Sequence, residues 1–337
     1  MLTSNRFAAI DIGSNAVRLL LSEVFETQNG PYFRKISLIR MPIRMGKDAF
    51  INKRISKDNA NRLLNTIQGF KALVAAYRPL DFRACATSAM RESSNGAKIK
   101  NRIREQTGVD IQIISGKEEA RIIFANNPWT HLAEGRAWLF IDVGGGSTEI
   151  TIHSSGKTVS RSFEIGTIRL MEDLVKKDHW KELKSWIQRH TRSFSSIDAI
   201  GSGGNINKII KLAKCTDDKT ITLAKMKKVR TNLNFFSFDD RITKLGLKPD
   251  RADVIMPAMK VYLSVMKWGG IHSISVPQIG LADGLVRIMY REYIRSRTSR
   301  MDRNGEKSPT SASGKRQTRS TKNRSTSDAG RSRKERS

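Results

Sequence analysis

Residues 139–152 read LFIDVGGGSTEITI. An apolar run carrying one carboxylate, Asp142, breaks at Gly144, Gly145 and Gly146, passes Ser147 and Thr148, and resumes as an alternating stretch from Glu149. Apolar flanks around a glycine turn predict two strands joined by a hairpin. Glycine lets the backbone turn tightly and lets a bulky anion approach main-chain N–H groups, and Ser147 adds a hydroxyl to the same concavity. The stretch has an echo near the N-terminus. Residues 7–21, FAAIDIGSNAVRLLL, align with 138–152 so that Asp11 falls on Asp142 and Gly13 on Gly144. Two such copies, each opening a similar run of elements, predict a duplicated domain.

The elements that follow each copy support the duplication. After strands at 7–12 and 17–24, the periodicity predicts a strand at 36–41, a helix over 57–77, a strand at 82–86, a helix over 97–106, a strand at 111–114 and a helix from Glu118. In the second half, strands at 137–143, 148–153 and 158–163 precede helices over 167–174 and 181–194, and a strand at 198–200 runs into Gly201-Ser202-Gly203-Gly204. A helix around 206–212, a long helix over 251–268, a strand at 273–276 and a helix over 281–295 complete the chain's patterned part. Helices alternating with strands after a three-strand meander predict an α/β fold with mixed sheets.

Composition bounds what such a chain can be. At 337 residues and 38% hydrophobic it has room for two domains and a sizeable core. The apolar runs are far short of the ~18 to 20 residues of a membrane helix, and the first residues lack a signal peptide's apolar segment, so a cytoplasmic protein without a membrane partner is expected. Cys85 and Cys215 are too few for a disulfide framework or a cysteine metal site, and His131, His153, His179, His190 and His272 show no ligand spacing. The formal charge is +29. Residues 296–337 hold 13 basic and 4 acidic residues in a Ser/Thr/Gly-rich context without hydrophobic period, which predicts a disordered basic tail of net charge +9. A body that still carries +20 attracts polyanions through its summed field.

Two further loops resemble the first in composition. Gly13-Ser14-Asn15 follows the opening strand, and Gly203-Gly204 ends a strand and opens a helix, where the helix dipole favours an anion. None of the three matches the P-loop or a dinucleotide-binding glycine fingerprint, which removes two common nucleotide-binding readings.

The segments AAIDIGSNAVRLL, ATSAMRESSN, ISGKEEARIIF, FIDVGGGSTEI, FEIGTIRL, GSGGN, RADVIMPA and GLADGL, in this order from Ala8 to Leu285, resemble the exopolyphosphatase and guanosine pentaphosphate phosphatase (Ppx/GppA) family, in a short form without C-terminal helical domains. The resemblance implies a two-lobed actin-like ATPase fold of the ribonuclease H-like class, with duplicated lobes, mixed sheets and an interlobe cleft. The lobes are then expected at 1–124 and 125–295, with the C-terminal helix available to fold back on the first.

The resemblance also assigns roles. Glu119, the second glutamate of ISGKEEA, corresponds to the family's catalytic carboxylate; a carboxylate there can orient and deprotonate water for in-line attack on a terminal phosphorus. Glu118 is its neighbour on another side of the helix. Asp142 and Glu149 become candidate ligands of Mg²⁺ or another divalent cation, with Asp11 in the equivalent place of the first copy. Phosphate binding falls to Gly13, Ser14, Asn15, Gly144, Gly145, Gly146, Ser147, Gly203 and Gly204, and to the guanidinium forks of Arg18, Arg91 and Arg251. The third loop departs from the family pattern, Gly-Gly-Asn205 replacing Gly-Gly-Thr; an amide there can reach a phosphate or cap the helix. The implied substrates are polyphosphate or guanosine pentaphosphate. Two alternatives stay open: another phosphotransferase of the actin-like superfamily, and a non-catalytic polyphosphate or nucleotide sensor. A homodimer is expected from the general frequency of two-fold assemblies, and the tail is expected to bind polyanions non-specifically.

Overall fold

A computed structural model describes residues 4–126, 136–215 and 219–305; His131 lies outside them. The first copy forms strands β1 (Ser4–Ile12), β2 (Val17–Thr27) and β3 (Gly30–Met41), then helices α1 (Met45–Ile51) and α2 (Lys57–Tyr77), β4 (Asp81–Ala86), α3 (Ser88–Glu92), α4 (Gly96–Thr107), β5 (Ile111–Ile113) and α5 (Gly116–Phe124). The second forms β6 (Arg136–Val143), β7 (Thr148–Ser154), β8 (Lys157–Phe163), α6 (Thr167–Met171), α7 (Lys177–Thr191), β9 (Ser196–Ser202) and α8 (Gly203–Leu212). The chain continues through β10 (Thr220–Thr222), α9 (Leu223–Asn234), α10 (Phe238–Thr243), α11 (Pro249–Ala252), α12 (Ile255–Trp268), β11 (Ser273–Ser275) and α13 (Leu281–Gly305).

The duplication is visible in the pairing. One sheet runs β3-β2-β1-β4-β5 and the other β8-β7-β6-β9-β11-β10. In each, an antiparallel meander of three strands is extended by a parallel strand beside the meander's first, β4 beside β1 and β9 beside β6. The two sheets and their helices form the two lobes of an actin-like α/β fold. The repeat extends to single hydrogen bonds: Gly13 N–H donates to the Ala16 carbonyl at 3.1 Å, and Gly144 N–H to that of Ser147 at 2.9 Å. Asp11 pairs in register with Arg18, and Asp142 with Glu149, so these four side chains flank equivalent turns.

Both faces of the first sheet are covered. Ile10, Ile12, Val17 and Leu19 bury against Leu63, Ile67 and Phe70 of α2 and Phe50 of α1. On the other side Phe7, Ala9, Leu20 and Val24 meet Ile122 and Ile123 of α5 and Leu285, Val286 and Met289 of α13. The second sheet buries Leu139, Ile141, Val143 and Ile150 against α7, α8 and α12, with Tyr262 wholly enclosed. The face that α5 turns away from the first sheet reaches the second, where Phe124 stands edge-on to Phe140 with ring centres 5.0 Å apart. α5 therefore touches both lobes. Its seat is tight: a Cβ on Gly284 in α13 lies 2.0 Å from the Ile122 carbonyl oxygen. We expect Gly284→Ala to destabilise the protein by roughly 1–3 kcal/mol, because backbone must move to admit one methyl. An unchanged urea unfolding midpoint overturns that expectation.

Several elements differ from the sequence-based expectations: α1, α3 and β10 are absent from the periodicity reading, and others differ for a local reason. The helix expected over 251–268 is two helices, because Pro257 lacks an N–H and its ring conflicts with the carbonyl four residues back; it fits only in the first turn of α12. β3 begins at Gly30 rather than at residue 36: Gln28 and Asn29 make the hairpin turn between the paired Thr27 and Gly30, Gly30 takes φ 96°, and the exposed strand carries no clear alternation. Helices α9 and α10 are absent from the periodicity reading, although Thr222 and Ser237 cap them by accepting from the N–H groups of Lys225 and Asp240. Finally, α13 does not stop at Arg295. It runs to Gly305, since residues 296–304 contain neither proline nor glycine, so the first ten residues of the expected disordered tail are helical. Residues 306–337, where the rest of that expectation falls, lie outside the described residues. Among the described residues no helix is long and apolar enough to cross a membrane.

Candidate active site

The strand ends and helix starts of both copies converge on one cavity of about 350 Å³. From the first copy it is lined by Asp11, Gly13, Ser14, Asn15 and Arg18; from the second by Asp142, Gly144, Gly145 and Ser147; from the third loop by Gly203 and Gly204, with Arg251 of α11 beside them. Glu119 enters from α5. Three of the proposed site residues stand behind the lining. Glu149 is buried on β7 and accepts from Ser162 Oγ at 2.8 Å; Gly146 offers its carbonyl to Arg169 Nε at 2.8 Å; Arg91 donates to the Ile114 carbonyl at 2.8 Å.

The local sequence explains how Glu119 points inward. Ser115 caps α5, accepting from Glu118 N–H at 3.1 Å, which fixes where the first turn begins. Glu118 then lies outward, paired with Arg121 at 3.0 Å, and Glu119 faces the cavity with its side chain 13% exposed. Glu119 Oε2 has no hydrogen-bond partner; the Arg91 guanidinium is 3.8 Å away. Burial, and next the Glu149 carboxylate, push the Glu119 carboxyl well above its ordinary value, against the pull of Arg91.

Asp142 and Glu149 share this condition. Burial raises the Asp142 carboxyl, against a hydrogen bond from Ser202 Oγ at 2.7 Å. Glu149 is pushed up to about 7, mainly by burial, with Asp142 adding to the effect and hydrogen bonds from Ser147 and Ser162 opposing it. Asp11 accepts from Arg18 Nη1 at 2.5 Å. Gly203, at φ 83°, has no room for a side chain, since a Cβ there is 2.7 Å from Asp142 Oδ1. The donor set is buried, oxygen-only and self-repelling, which fits a hard divalent cation. Among the described residues no three His, Cys, Asp or Glu side chains come close enough to enclose an ion unaided.

A cluster of arginines lines the same cavity, with Arg18 paired to Asp11. Arg18 and Arg40 are cross-strand partners on β2 and β3, and both line the cavity with Arg251. Burial, and then Arg18 and Arg40, lower the Arg251 guanidinium to about 9, despite the nearby Asp250 and Asp253. The three guanidinium groups are crowded together in one cavity near the start of α8. Arg40 pairs with Asp250, whose carbonyl accepts from Asn15 Nδ2 at 2.9 Å. Not every loop N–H is available to a ligand: those of Gly13 and Gly144 close their own turns, and that of Gly203 meets the Ile279 carbonyl.

The departure at Asn205 has a specific result. Its Oδ1 accepts from Arg251 Nη1 at 2.7 Å while its Nδ2 donates to the Val143 carbonyl at 2.8 Å, so it holds the arginine against the end of β6 instead of capping α8. Sequence reasoning misses Arg40, Ser88, Lys211 and Arg169. Arg40 is recoverable only from strand register; Lys211 lies one turn beyond Asn207 on α8, and both line the cavity. Ser88 Oγ lies 2.9 Å from Ser14 Oγ. Arg169 is buried, pairs with Glu92 and lies over the Phe50 ring at 4.5 Å, tying the glycine loop to the first lobe.

The chain is similar to proteins of known kind over most of its length. Residues 24–292 match the model of the Ppx/GppA phosphatase family. Exopolyphosphatase 1 of Mycobacterium tuberculosis is 25% identical over 306 residues, covering 83% of this chain and 87% of that protein. The guanosine-5'-triphosphate,3'-diphosphate pyrophosphatase of Aeromonas hydrophila is 23% identical, covering 85% of this chain and 60% of that longer protein. Among solved structures, an exopolyphosphatase from Cytophaga hutchinsonii superposes with a TM-score of 0.72 at 22% identity, over 85% of this chain and 97% of that one. A family member from Aquifex aeolicus gives 0.69 at 21%, over 86% and 99%. The match of the family model over residues 24–292, most of a chain whose repeated turns converge on one cavity, establishes that this protein belongs to the Ppx/GppA phosphatase family.

Proposed function

We propose that the protein is a phosphohydrolase that removes terminal orthophosphate from inorganic polyphosphate, the 5'-γ-phosphate of guanosine pentaphosphate, or both. The observation that carries this reading is the cavity itself, which brings Glu119, whose buried Oε2 has no hydrogen-bond partner, together with Arg18, Arg40 and Arg251. The names of the two relatives support the two substrates. In this reading the arginines hold the oxygens of the terminal phosphoryl group and Glu119 accepts a proton as water attacks phosphorus. The P–O bond to the rest of the chain breaks and orthophosphate leaves, with no covalent phosphoenzyme. Asp142 and Glu149, with Asp11 nearby, are the residues that would hold Mg²⁺, which when bound supplies positive charge to phosphate oxygens. Positioning and fixed charge dominate this class of reaction. We place the lobe boundary at 124/125, supported by the strands of the two sheets falling on either side of it.

The test is phosphate release from the purified protein with Mg²⁺, polyphosphates of graded length and guanosine pentaphosphate being offered side by side. Release from at least one supports the reading, and release from none sinks it.

We further propose that residues 306–337 recruit long polyanions. This segment holds 10 basic and 3 acidic residues. Ending the chain at Gly305 is expected to leave the unfolding midpoint and the turnover of short substrates unchanged. Affinity for long polyphosphate should fall, with a shallower dependence on salt, because fewer cations exchange counterions with the chain. An identical salt slope in the shortened protein counts against the proposal.

A further inference from the structure

Away from the cleft, a groove of about 570 Å³ runs between α9 and α12. Two matched helix faces make it: Lys227, Arg230, Thr231 and Asn234 on one, Lys260, Leu263, Ser264 and Lys267 on the other. Both sets follow the i, i+3, i+4, i+7 spacing that puts residues on one side of a helix, and that side is ordinarily apolar where two helices face each other. Here the helices meet deeper, through Met226, Leu233, Met259 and Met266, and leave a cationic trough above.

The trough has four cations and no carboxylate in its lining. Among the described residues none of Lys227, Arg230, Lys260 and Lys267 has a carboxylate within 4 Å. Some lysines on other helices do have one, such as Lys181 with Asp178 and Lys244 with Asp240. Four like charges held over a groove by two rigid helices concentrate anions there. Trp268, the aromatic residue in the lining, narrows the class of anion. Trp268 is packed edge-to-face on Trp180, with ring centres 6.0 Å apart, and Lys260 lies over the Trp180 ring at 5.2 Å. These rings are already engaged, which disfavours the base stacking that single-stranded nucleic acid uses. Lysine ammoniums act as point charges and suit a flexible chain of uniform negative charge.

Helix α12, which lines the groove, follows the cleft residue Arg251 closely in the chain. It starts at Ile255, and its 14 residues span about 20 Å, with Lys260 and Lys267 along it. We propose that this groove is a second phosphate-chain site, holding the distal part of a linear inorganic polyphosphate whose terminal phosphate occupies the cleft. The proposal rests on the phosphohydrolase reading for its cleft end only.

The experiment compares the full-length protein with the K227E/K260E double variant, and with K227Q/K260Q should charge reversal disturb folding. Long-chain polyphosphate and a short substrate, tetraphosphate, are assayed for KM and kcat across a range of salt. The KM for the long chain should rise at least tenfold and its salt slope should fall by about 2 in the reversal variant, about one for each lysine withdrawn from the phosphate chain. Values for tetraphosphate should not change. An unaltered long-chain KM and slope overturn the proposal, and so does an equal loss for long and short substrates, which points to a general field effect. A loss confined to single-stranded nucleic acid binding overturns it as well. If the wild-type protein hydrolyses neither substrate, the polyphosphate part of the phosphohydrolase reading fails; calorimetry of long polyphosphate with wild type and variant then still decides the groove.

Discussion

Glu119→Gln should lower turnover by roughly two to four orders of magnitude, the range that general acid–base catalysis commands. The substitution keeps the shape of the side chain and removes the basic oxygen. Substrate affinity should change little, because the arginines and the glycine loops remain. It should also leave the protein folded, since Glu119 Oε2 has no hydrogen-bond partner to lose and a buried, self-repelling charge is removed. Glu118→Gln is the internal control: that side chain is 46% exposed and pairs with Arg121 outside the cavity. Phosphate release measures turnover, calorimetry measures binding and circular dichroism checks the fold. Wild-type turnover in Glu119→Gln with an inactive Glu118→Gln shifts the assignment by one residue. Full activity in both removes water activation by α5 from the mechanism.

Asp142→Asn should raise the Mg²⁺ concentration for half-maximal activity by roughly ten- to a hundredfold, the scale on which altering a metal site's surroundings acts. The amide oxygen can still accept from Ser202 Oγ, so the local geometry is preserved while a buried charge is removed. A readout independent of turnover follows from linkage: a cation that binds only the folded protein raises its melting temperature as its concentration increases. The wild-type protein should show that rise, and Asp142→Asn should show much less of it. Matching titrations and matching melting curves in the two proteins refute the metal assignment.

Much of the site's scaffold is legible in the sequence because its signals are local. The strand-turn-strand pattern around Gly13 and Gly144 depends on residues within about ten positions, and the two turns close with equivalent hydrogen bonds. The start of α5 is equally local: Ser115 three residues before Glu118 sets the first turn, and the 3.6-residue period sends Glu118 and Glu119 to different sides. The long amphipathic helix α2 and the cap at Ser56 are of the same kind. Helices α9 and α10 carry comparable capping signals, but hydrophobic period alone does not reveal them, since α9 buries only Met226 and Leu233 and α10 buries nothing.

The residues that are not legible depend on pairing across long stretches of chain. Arg40 meets Arg18 only through the β2–β3 register, and it meets Asp250 only once the two lobes close on each other. Asn205 reads as a helix cap until the end of β6 places the Val143 carbonyl beside it, after which its two amide atoms divide between that carbonyl and Arg251. Arg169 reads as one basic residue among many, yet folding buries it against Phe50, Glu92 and the Gly146 carbonyl. The repeated turns, the alternation of strands and helices, and the side of α5 on which each glutamate falls are written in the chain, because backbone preference and hydrophobic period act over a few residues. Which charges share the cavity, and which cations are left without a carboxylate between α9 and α12, is settled only on folding, because burial and Coulomb interactions depend on distance in space and not on separation along the chain.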